Sequence, residues 1–458
     1  MKSGTNGRLF RKVVAAVLAP VLGMVFIPGA AAADPDTEDA IKMLSEVLHK
    51  LERQYVDPVD GREILIKGIA EMVADLDAHS RLLPPEAYEE LQIDTKGEFG
   101  GIGIVLTMEE KELTVISPIE GTPAFAAGVE AGDVIIAVNG ESTEDMMLWE
   151  AVQKMRGPKG ESVRITIRRE GEDAPIDFTL VRDIIPIVSV KSATIEPGYG
   201  YVRITNFQDD TTEDLEAAVE ELEEESGSLE GLVLDLRDNP GGLLNEAVAV
   251  SDFFLEQGVI LSVKGRDPKD TREYEARGSW WNRRDFPLVV LINGGSASAA
   301  EIVAGALQDH DRGTVLGTPS FGKGSVQTVE PLRDGYGIKF TIFRYYTPSG
   351  RAIQNQGIVP DIEVPQRYAN GEVDTEDWRL KEKDLDNHLE ARPLNGDGKM
   401  KEPESAEPEE PDSSAERRRR RAARRHGPLT PERLREDYQV MRALEVLQGK
   451  EVTADARQ

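Results

Sequence analysis

Apolar positions change their period along the chain, and the changes mark out its parts. From Thr37 to Leu82 they recur every three or four residues (Ile41, Leu44, Leu48 and Leu51, then Ile64, Ile69, Met72 and Leu76), which predicts two helices. Asp57-Pro58 and Asp60-Gly61 separate the pair. From about Ile93 to Arg182 the texture becomes short alternating strands. They are expected at Gly103–Thr107, Leu113–Ser117, Asp133–Val138 and Ser162–Arg168, with one helix around Thr143–Met155, and together they describe a small β-rich domain. From Tyr199 strands and helices alternate. Strands are read at Tyr201–Ile204, Leu232–Leu236, Val259–Val263, Leu288–Ile292 and Thr314–Leu316, and helices at Thr211–Glu225, Ala247–Phe254 and Ser298–Leu307. Such alternation implies an α/β core on a parallel-type sheet. The uninterrupted apolar run Leu288–Ile292 suits a central strand covered on both faces.

The two ends read differently. Lys2, Arg8, Arg11 and Lys12 precede the uncharged run Val13–Ile27, and the small residues Gly29–Ala33 follow it. This is the pattern of a secretory signal peptide, with cleavage expected after Ala33 and an extracytoplasmic or periplasmic destination. If retained, the same segment would be a membrane anchor, because Val13–Ala33 approaches the ~20 residues that span a bilayer. Pro20, Pro28 and the Ala-rich end favour cleavage. Past Pro365 the chain is poor in apolar residues. Lys401–Ser414 is rich in Glu, Pro and Ser, and Arg417–Arg425 contains seven Arg, so neither run can bury a core. Thr430 to Gln448 then reads as a short helix, with Thr430 as N-cap and Gly449 as stop. The expected organisation is a signal at 1–33, a helical region at 34–94, the β-rich domain at 95–183, the α/β core at 184–365, a low-complexity tail at 366–429 and a helix at 430–449.

Composition narrows the chemistry. The net charge of −30 argues against nucleic acid as a partner, since phosphate binding is driven by basic surface. The absence of Cys removes disulfides, thiolate metal sites and thiol nucleophiles. Five His make a multi-His metal centre a poor reading, and no cofactor is expected.

Three constellations remain. Gly317-Thr318-Pro319-Ser320-Phe321-Gly322-Lys323-Gly324 is one residue short of a phosphate-binding loop, because position 324 lacks the hydroxyl that holds magnesium. A strand rather than a helix is also expected after it, from Ser325 to Val329, which rejects nucleotide binding. A Ser-His-Asp arrangement fails too. No Gly-x-Ser-x-Gly elbow is present, His310 lies twelve residues after Ser298, over three turns away if both share one helix, and His79 falls in the N-terminal helical region. The third is a Ser-Lys pair. Ser298 follows a buried strand and a Gly-Gly turn and opens a helix, and Lys323 sits between two glycines. A lysine acts as general base only when neutral, which burial can bring about. On spacing alone this reading and a plainer one, helix-capping serines with a surface lysine, stand level.

Several motifs in one order break the tie. Asn293-Gly294-Gly295-Ser296-Ala297-Ser298-Ala299-Ala300-Glu301, Phe321-Gly322-Lys323-Gly324-Ser325-Val326-Gln327 and Leu234-Asp235-Leu236-Arg237-Asp238-Asn239-Pro240-Gly241-Gly242 resemble those of the carboxyl-terminal processing, or tail-specific, proteases of the Ser-Lys type. Thr347–Gln354 and Gly357–Ile362 are similar to that family's closing segment, and the resemblance runs from about Thr37 to Pro365. It implies Ser298 rather than Ser296 as nucleophile, Lys323 as general base, and Gln327 holding the lysine amine. It also implies oxyanion amides from Ala299 and from Gly241 or Gly242. Gly101-Ile102-Gly103-Ile104, with Pro118, Gly121-Thr122-Pro123-Ala124 and Gly132–Ile135, resembles the permuted PDZ domain of the same family. There the loop amides would cradle a C-terminal carboxylate while the peptide adds as a strand. Ile104 and Leu148 are the expected walls for the substrate's last side chain, which would be apolar, although both equally suit the domain's own core. One departure is Asp77-Ala78-His79-Ser80, with Ala where the family commonly has Pro. The expectation is therefore an exported serine endopeptidase with an α/β core of βαβ units, an inserted PDZ domain and peptide substrates bearing free apolar C-termini. A catalytically silent PDZ scaffold is the alternative. Oligomerisation and an activating adaptor are left open by the sequence.

Overall fold

The computed structural model describes residues 35–109, 111–278, 285–367, 373–374, 380–392 and 429–452. The expected signal segment and the Glu/Pro-rich and Arg-rich runs lie outside these residues. None of the helices among the described residues is long and apolar enough to cross a membrane.

Two bodies are distinguished, residues 1–68 and 69–458. In the first, the expected helix is α1 (Pro35–Gln54), which has no buried residue, and α2 (Gly61–Ala74) begins at the Asp60-Gly61 break and continues past the boundary at Gly68. The second body carries everything else. It opens with strand β1 (Arg81–Leu83) and helix α3 (Pro85–Lys96), which the sequence reading passed over.

Strands β2 (Glu98–Gly101) and β9 (Asp183–Pro186) pair antiparallel and bracket the β-rich domain. Between them lie β3 (Ile104–Glu109), β4 (Glu112–Pro118), β5 (Val134–Val138), β6 (Glu141–Ser142), β7 (Ser162–Arg168) and β8 (Ile176–Val181). These form one antiparallel sheet in the order β3-β4-β5-β7-β8, with β6 on β5. The short helix α4 (Pro123–Ala127) and helix α5 (Leu148–Met155) accompany the sheet. Its core is Ile102, Val115, Ile135, Val138, Ile165 and Ile167, with alternate residues of β7 turned inward as the two-residue period requires.

The α/β core is a second six-stranded sheet. Its strands are β10 (Val190–Glu196), β11 (Tyr199–Ile204), β12 (Gly231–Asp235), β15 (Leu288–Ile292), β16 (Thr314–Gly317) and β19 (Ile362–Glu363), in that order. All pairings are parallel except the edge pair β10–β11. Helices α6 (Thr211–Ser226), α7 (Leu244–Phe254) and α8 (Ala299–Asp309) cover one face, packing on Leu232, Leu234, Val290 and Ile292. Val233, Val289 and Leu291 point the other way, where the helix Tyr438–Leu447 buries Val440, Ala443 and Leu444 against them. Both faces are thus covered, which is why β12 and β15 read as continuous apolar runs. A five-stranded antiparallel sheet completes the core: β1, β18 (Gly337–Tyr346), β13 (Gly258–Lys264) and β14 (Arg272–Ala276), with β17 (Ser325–Pro331) beside β18. The strand expected after Lys323 is β17.

At the C-terminal end the single expected helix is two, Pro431–Glu436 and Tyr438–Leu447, broken at Asp437. The Thr430 hydroxyl accepts the Arg433 amide, as the capping expectation required. Residues 380–392, assigned by composition to the low-complexity tail, carry a defined path that includes the turn Glu382–Asp384.

Candidate active site

The two serines of the loop after β15 do different things. Ser296 is fully buried; its hydroxyl donates to the Leu236 carbonyl (2.7 Å) and accepts the Asn293 amide (3.0 Å). It therefore stitches the end of β15 to the end of β12. Ser298 stands at the N-cap of α8 with φ 54 and ψ −113, outside the regions a side chain readily adopts. Its amide donates to Glu301 Oε2 (2.8 Å). The hydroxyl of Ser298 is thereby presented at the positive end of a helix, the end suited to developing negative charge.

Glu301 ties the serine to the lysine. It is fully buried, and four donors converge on it. Oε2 accepts the amides of Ser298 (2.8 Å) and Lys323 (3.0 Å), and Oε1 accepts the Ser320 hydroxyl (2.6 Å) and the Gly322 amide (2.7 Å). Burial pushes its carboxyl up to about 7, against these four bonds, which favour the ionised form. The residue stands in the nucleophile motif, but no role attached to it from sequence, because its partners come from a loop some twenty positions away.

Lys323 is the expected base, and its surroundings suit that chemistry. Burial lowers its ammonium to about 8, helped by the charge of Lys339 and opposed by Glu382, Glu301 and Asp77. The ammonium makes no hydrogen bond among the described residues, to Ser298 or to Gln327. The Gln327 amide donates instead to the hydroxyls of Ser325 (3.0 Å) and Thr341 (3.2 Å), so here it braces β17 rather than the lysine amine. Tyr345 lies between the two loops. Its hydroxyl donates to the Lys323 carbonyl and also meets the Ser298 hydroxyl.

The two candidate oxyanion glycines separate. Gly241, at φ 105, packs so closely that a Cβ there would lie 2.8 Å from Ser298 Cβ. Its amide, however, donates to Asn239 Oδ1 (2.8 Å). The Gly242 amide has no acceptor among the described residues, and Ala299 holds one of the unpaired first-turn amides of α8. Gly242 also has φ 142, and a Cβ on it would strike the Phe207 carbonyl at 2.0 Å. Beneath this loop Asp235 is buried and bonded to Tyr201 (2.6 Å) and to Arg237 (2.6 Å). Burial works to raise its carboxyl, but Arg237 and Arg203 outweigh it and hold it at about 2. Arg237 in turn donates to Asp437 (3.1 Å) and Gln439 (2.8 Å).

Neither His79 nor His310 hydrogen-bonds Ser298. His310 bonds the Val259 carbonyl (2.7 Å), while His79 meets both oxygens of buried Glu382 (2.9 and 2.8 Å).

In the β-rich domain, the amides of Ile102 and Gly103 have no acceptor among the described residues, while their carbonyls take the amides of Ala124 and Ile119 (2.9 Å each). Gly103 has φ 77, and a Cβ there would lie 2.3 Å from Thr122. Ile104 on β3 and Leu148 on α5 are partly buried and pack on the domain core, and α5 lies beside β3. Gly101 ends β2, paired with Asp183.

Two stretches of the chain match known families. Residues 198–364 match Peptidase family S41, and residues 90–168 match the PDZ domain. A carboxy-terminal-processing protease of Bartonella bacilliformis is 43% identical over 366 residues, 78% of this chain and 82% of that protein. A carboxyl-terminal-processing protease of Synechocystis sp. is 39% identical, covering 69% of this chain and 75% of its own. The carboxy-terminal processing protease CtpB of Bacillus subtilis is 33% identical, with 74% and 71% covered.

Proposed function

Since the chain belongs to the carboxy-terminal-processing proteases of peptidase family S41, which are serine peptidases, we propose that it cleaves exported proteins upstream of a free, apolar C-terminus by Ser298–Lys323 catalysis. The observation that carries this reading is Glu301, whose carboxylate binds the backbone of both candidate residues and fixes one loop against the other.

The steps follow from the groups in place. The Ser298 hydroxyl turns from Tyr345 toward neutral Lys323, loses its proton to the amine and attacks the scissile carbonyl carbon. The oxygen of that carbonyl takes up the negative charge, held by the amides of Gly242 and Ala299 at the helix N-terminus. Collapse breaks the C–N bond, and the departing amine takes the proton from Lys323. Water then attacks the acyl ester, gives its proton to Lys323, and Ser298 recovers it as the acid leaves. The amides of Ile102 and Gly103 hold the substrate's terminal carboxylate, and its last side chain rests between Ile104 and Leu148. The positive, apolar N-terminus supports export to the periplasm or another extracytoplasmic site.

The test pairs labelling with cleavage. A fluorophosphonate should modify Ser298, and Ser298→Ala should neither label nor cut a peptide with a free apolar terminus. Cleavage surviving in Ser298→Ala would overturn the assignment of the nucleophile, whereas a wild-type chain that binds peptide tails but neither labels nor cuts would make a PDZ scaffold the better account.

A further inference from the structure

Residues 380–392 lie beyond the stretch matched to the peptidase family, yet they strap its base loop. The Lys381 ammonium donates to the carbonyls of Pro319 (2.7 Å) and Ser320 (3.0 Å), and the Glu382 amide donates to the Phe321 carbonyl (3.2 Å). Gln354 joins strap and loop: its Nε2 donates to Glu382 Oε1 (2.8 Å) and the Leu389 carbonyl (3.0 Å), while its Oε1 accepts the Gly324 amide (2.9 Å). At the far end Asn387 accepts the Ala78 amide (3.0 Å) and donates to the carbonyls of Ala74 (3.2 Å) and Asp75 (2.9 Å). A segment with no apolar periodicity is thus bound on both sides of Lys323.

Glu382 is the group this strap delivers. It is fully buried, an uncommon place for a carboxylate unless it is paired. His79 bonds both of its oxygens (2.9 and 2.8 Å). We propose that Glu382, oriented by His79 and Gln354, is a positioning residue for the Lys323 base, so that the segment downstream of the peptidase domain is a working part of the active site. This rests on the Ser-Lys reading above. Among the described residues, the charges that act on Lys323 are those of Glu301 on α8, Asp77 on the turn before β1, Lys339 on β18 and Glu382 on the strap. The Glu382 charge favours the protonated amine, and its hydrogen bonds hold the loop that carries it.

Two substitutions separate charge from reach. Glu382→Gln keeps the shape and removes the charge, whereas Glu382→Asp keeps the charge and withdraws it by one methylene. Steady-state kcat and KM of the full chain are measured across pH on a peptide with a free apolar terminus. In Glu382→Gln the acidic limb of kcat/KM should move down by about half a pH unit or more, because the neutral amine is no longer opposed. In Glu382→Asp the limb should stay and kcat should fall about tenfold at unchanged KM, as expected for a misplaced base. An unmoved limb in the first variant, or normal kcat in the second, overturns the proposal. Should Glu382→Gln fail to fold, Glu382→Asp decides alone through kcat. Lys323→Ala tests the underlying dyad separately: if it is inactive while both Glu382 variants behave as wild type, this proposal alone fails.

Discussion

As the proposed base, Lys323 would have to lose a proton before it could accept one, and its environment brings that loss to about pH 8 rather than above 10. Peptide cleavage should therefore rise with pH through this value, as kcat/KM measured from pH 6 to 9.5 will show. Lys323→Arg should be inactive throughout, since a guanidinium stays charged. Ser298→Ala should be inactive with near-normal stability. Ser296→Ala should keep part of the activity and lose about 1–2 kcal/mol of stability, because it strands the Asn293 amide and leaves the Leu236 carbonyl with the Asn239 amide alone. Glu301→Gln replaces an acceptor of four bonds with a group whose NH2 faces donors, so kcat should fall by about 10² or more while binding of peptide tails by the PDZ domain persists. Asp235 adds an acid limit. Its carboxyl lies at about 2 when folded against ~3.9 unfolded. It contributes about 2 kcal/mol of stability that is complete above pH 4 and fades as pH falls toward 2. Denaturant melts of wild type and Asp235→Asn at pH 7 and pH 3 should differ more at the higher pH. At this scale the expected nucleophile and base could be read from the sequence because each lies inside a local motif. Glu301, Glu382 and the contrast between Gly241 and Gly242 could not. Those depend on which side chain from a distant loop reaches a given atom, such as Asn239 taking up the Gly241 amide.

Elements were readable where one period held. β7, β15 and α8 were placed within two residues because their burial is regular. Strand β18, the longest in the molecule's antiparallel sheet, went unread. Its residues Gly337–Tyr346 are mostly half-buried on both faces and interrupted by Lys339 and Arg344, so no alternation marks it. Helix α3 has no buried residue and likewise leaves no stripe. The helix Tyr438–Leu447 could be read as a helix, but not its place on the sheet, since its partners lie more than seventy positions upstream. Its contribution is measurable. Leu444 is 2% exposed among Val233, Val289 and Leu291, so Leu444→Ala should cost about 2–4 kcal/mol in chemical denaturation. Asp437→Ala, which releases Arg237 at the partly exposed end of the same contact, should cost less stability than Leu444→Ala.

For the whole molecule, the paired strands β2 and β9 are both entry and exit of the PDZ domain, and they bond each other. The exit is fastened further where the Ile187 amide meets the Gly97 carbonyl. If the proposed role of the Ile102 and Gly103 amides holds, amidating a substrate's C-terminus should lower kcat/KM about tenfold or more, because it removes the charge they would hold. An acidic last residue should do the same, by desolvating a charge between Ile104 and Leu148. Gly103→Ala should weaken the free-acid peptide and spare the amide, since a Cβ there collides with Thr122. A matched peptide series resolves all three.

The C-terminal helix sets an order in time as well as in space. Asp437 and Gln439, which hold Arg237 beside the Gly241-Gly242 loop, are translated after both residues of the expected catalytic pair. A ribosome reaching Pro365 has made the serine, the lysine and the sheet that carries them, but one face of that sheet still lies bare and Arg237 lacks two of its acceptors. The enzyme is therefore finished from its far end. The proposed catalytic residues are thus made ahead of the segment that steadies the loop beside them, and that loop gains its full set of Arg237 contacts only when synthesis has reached the final helix.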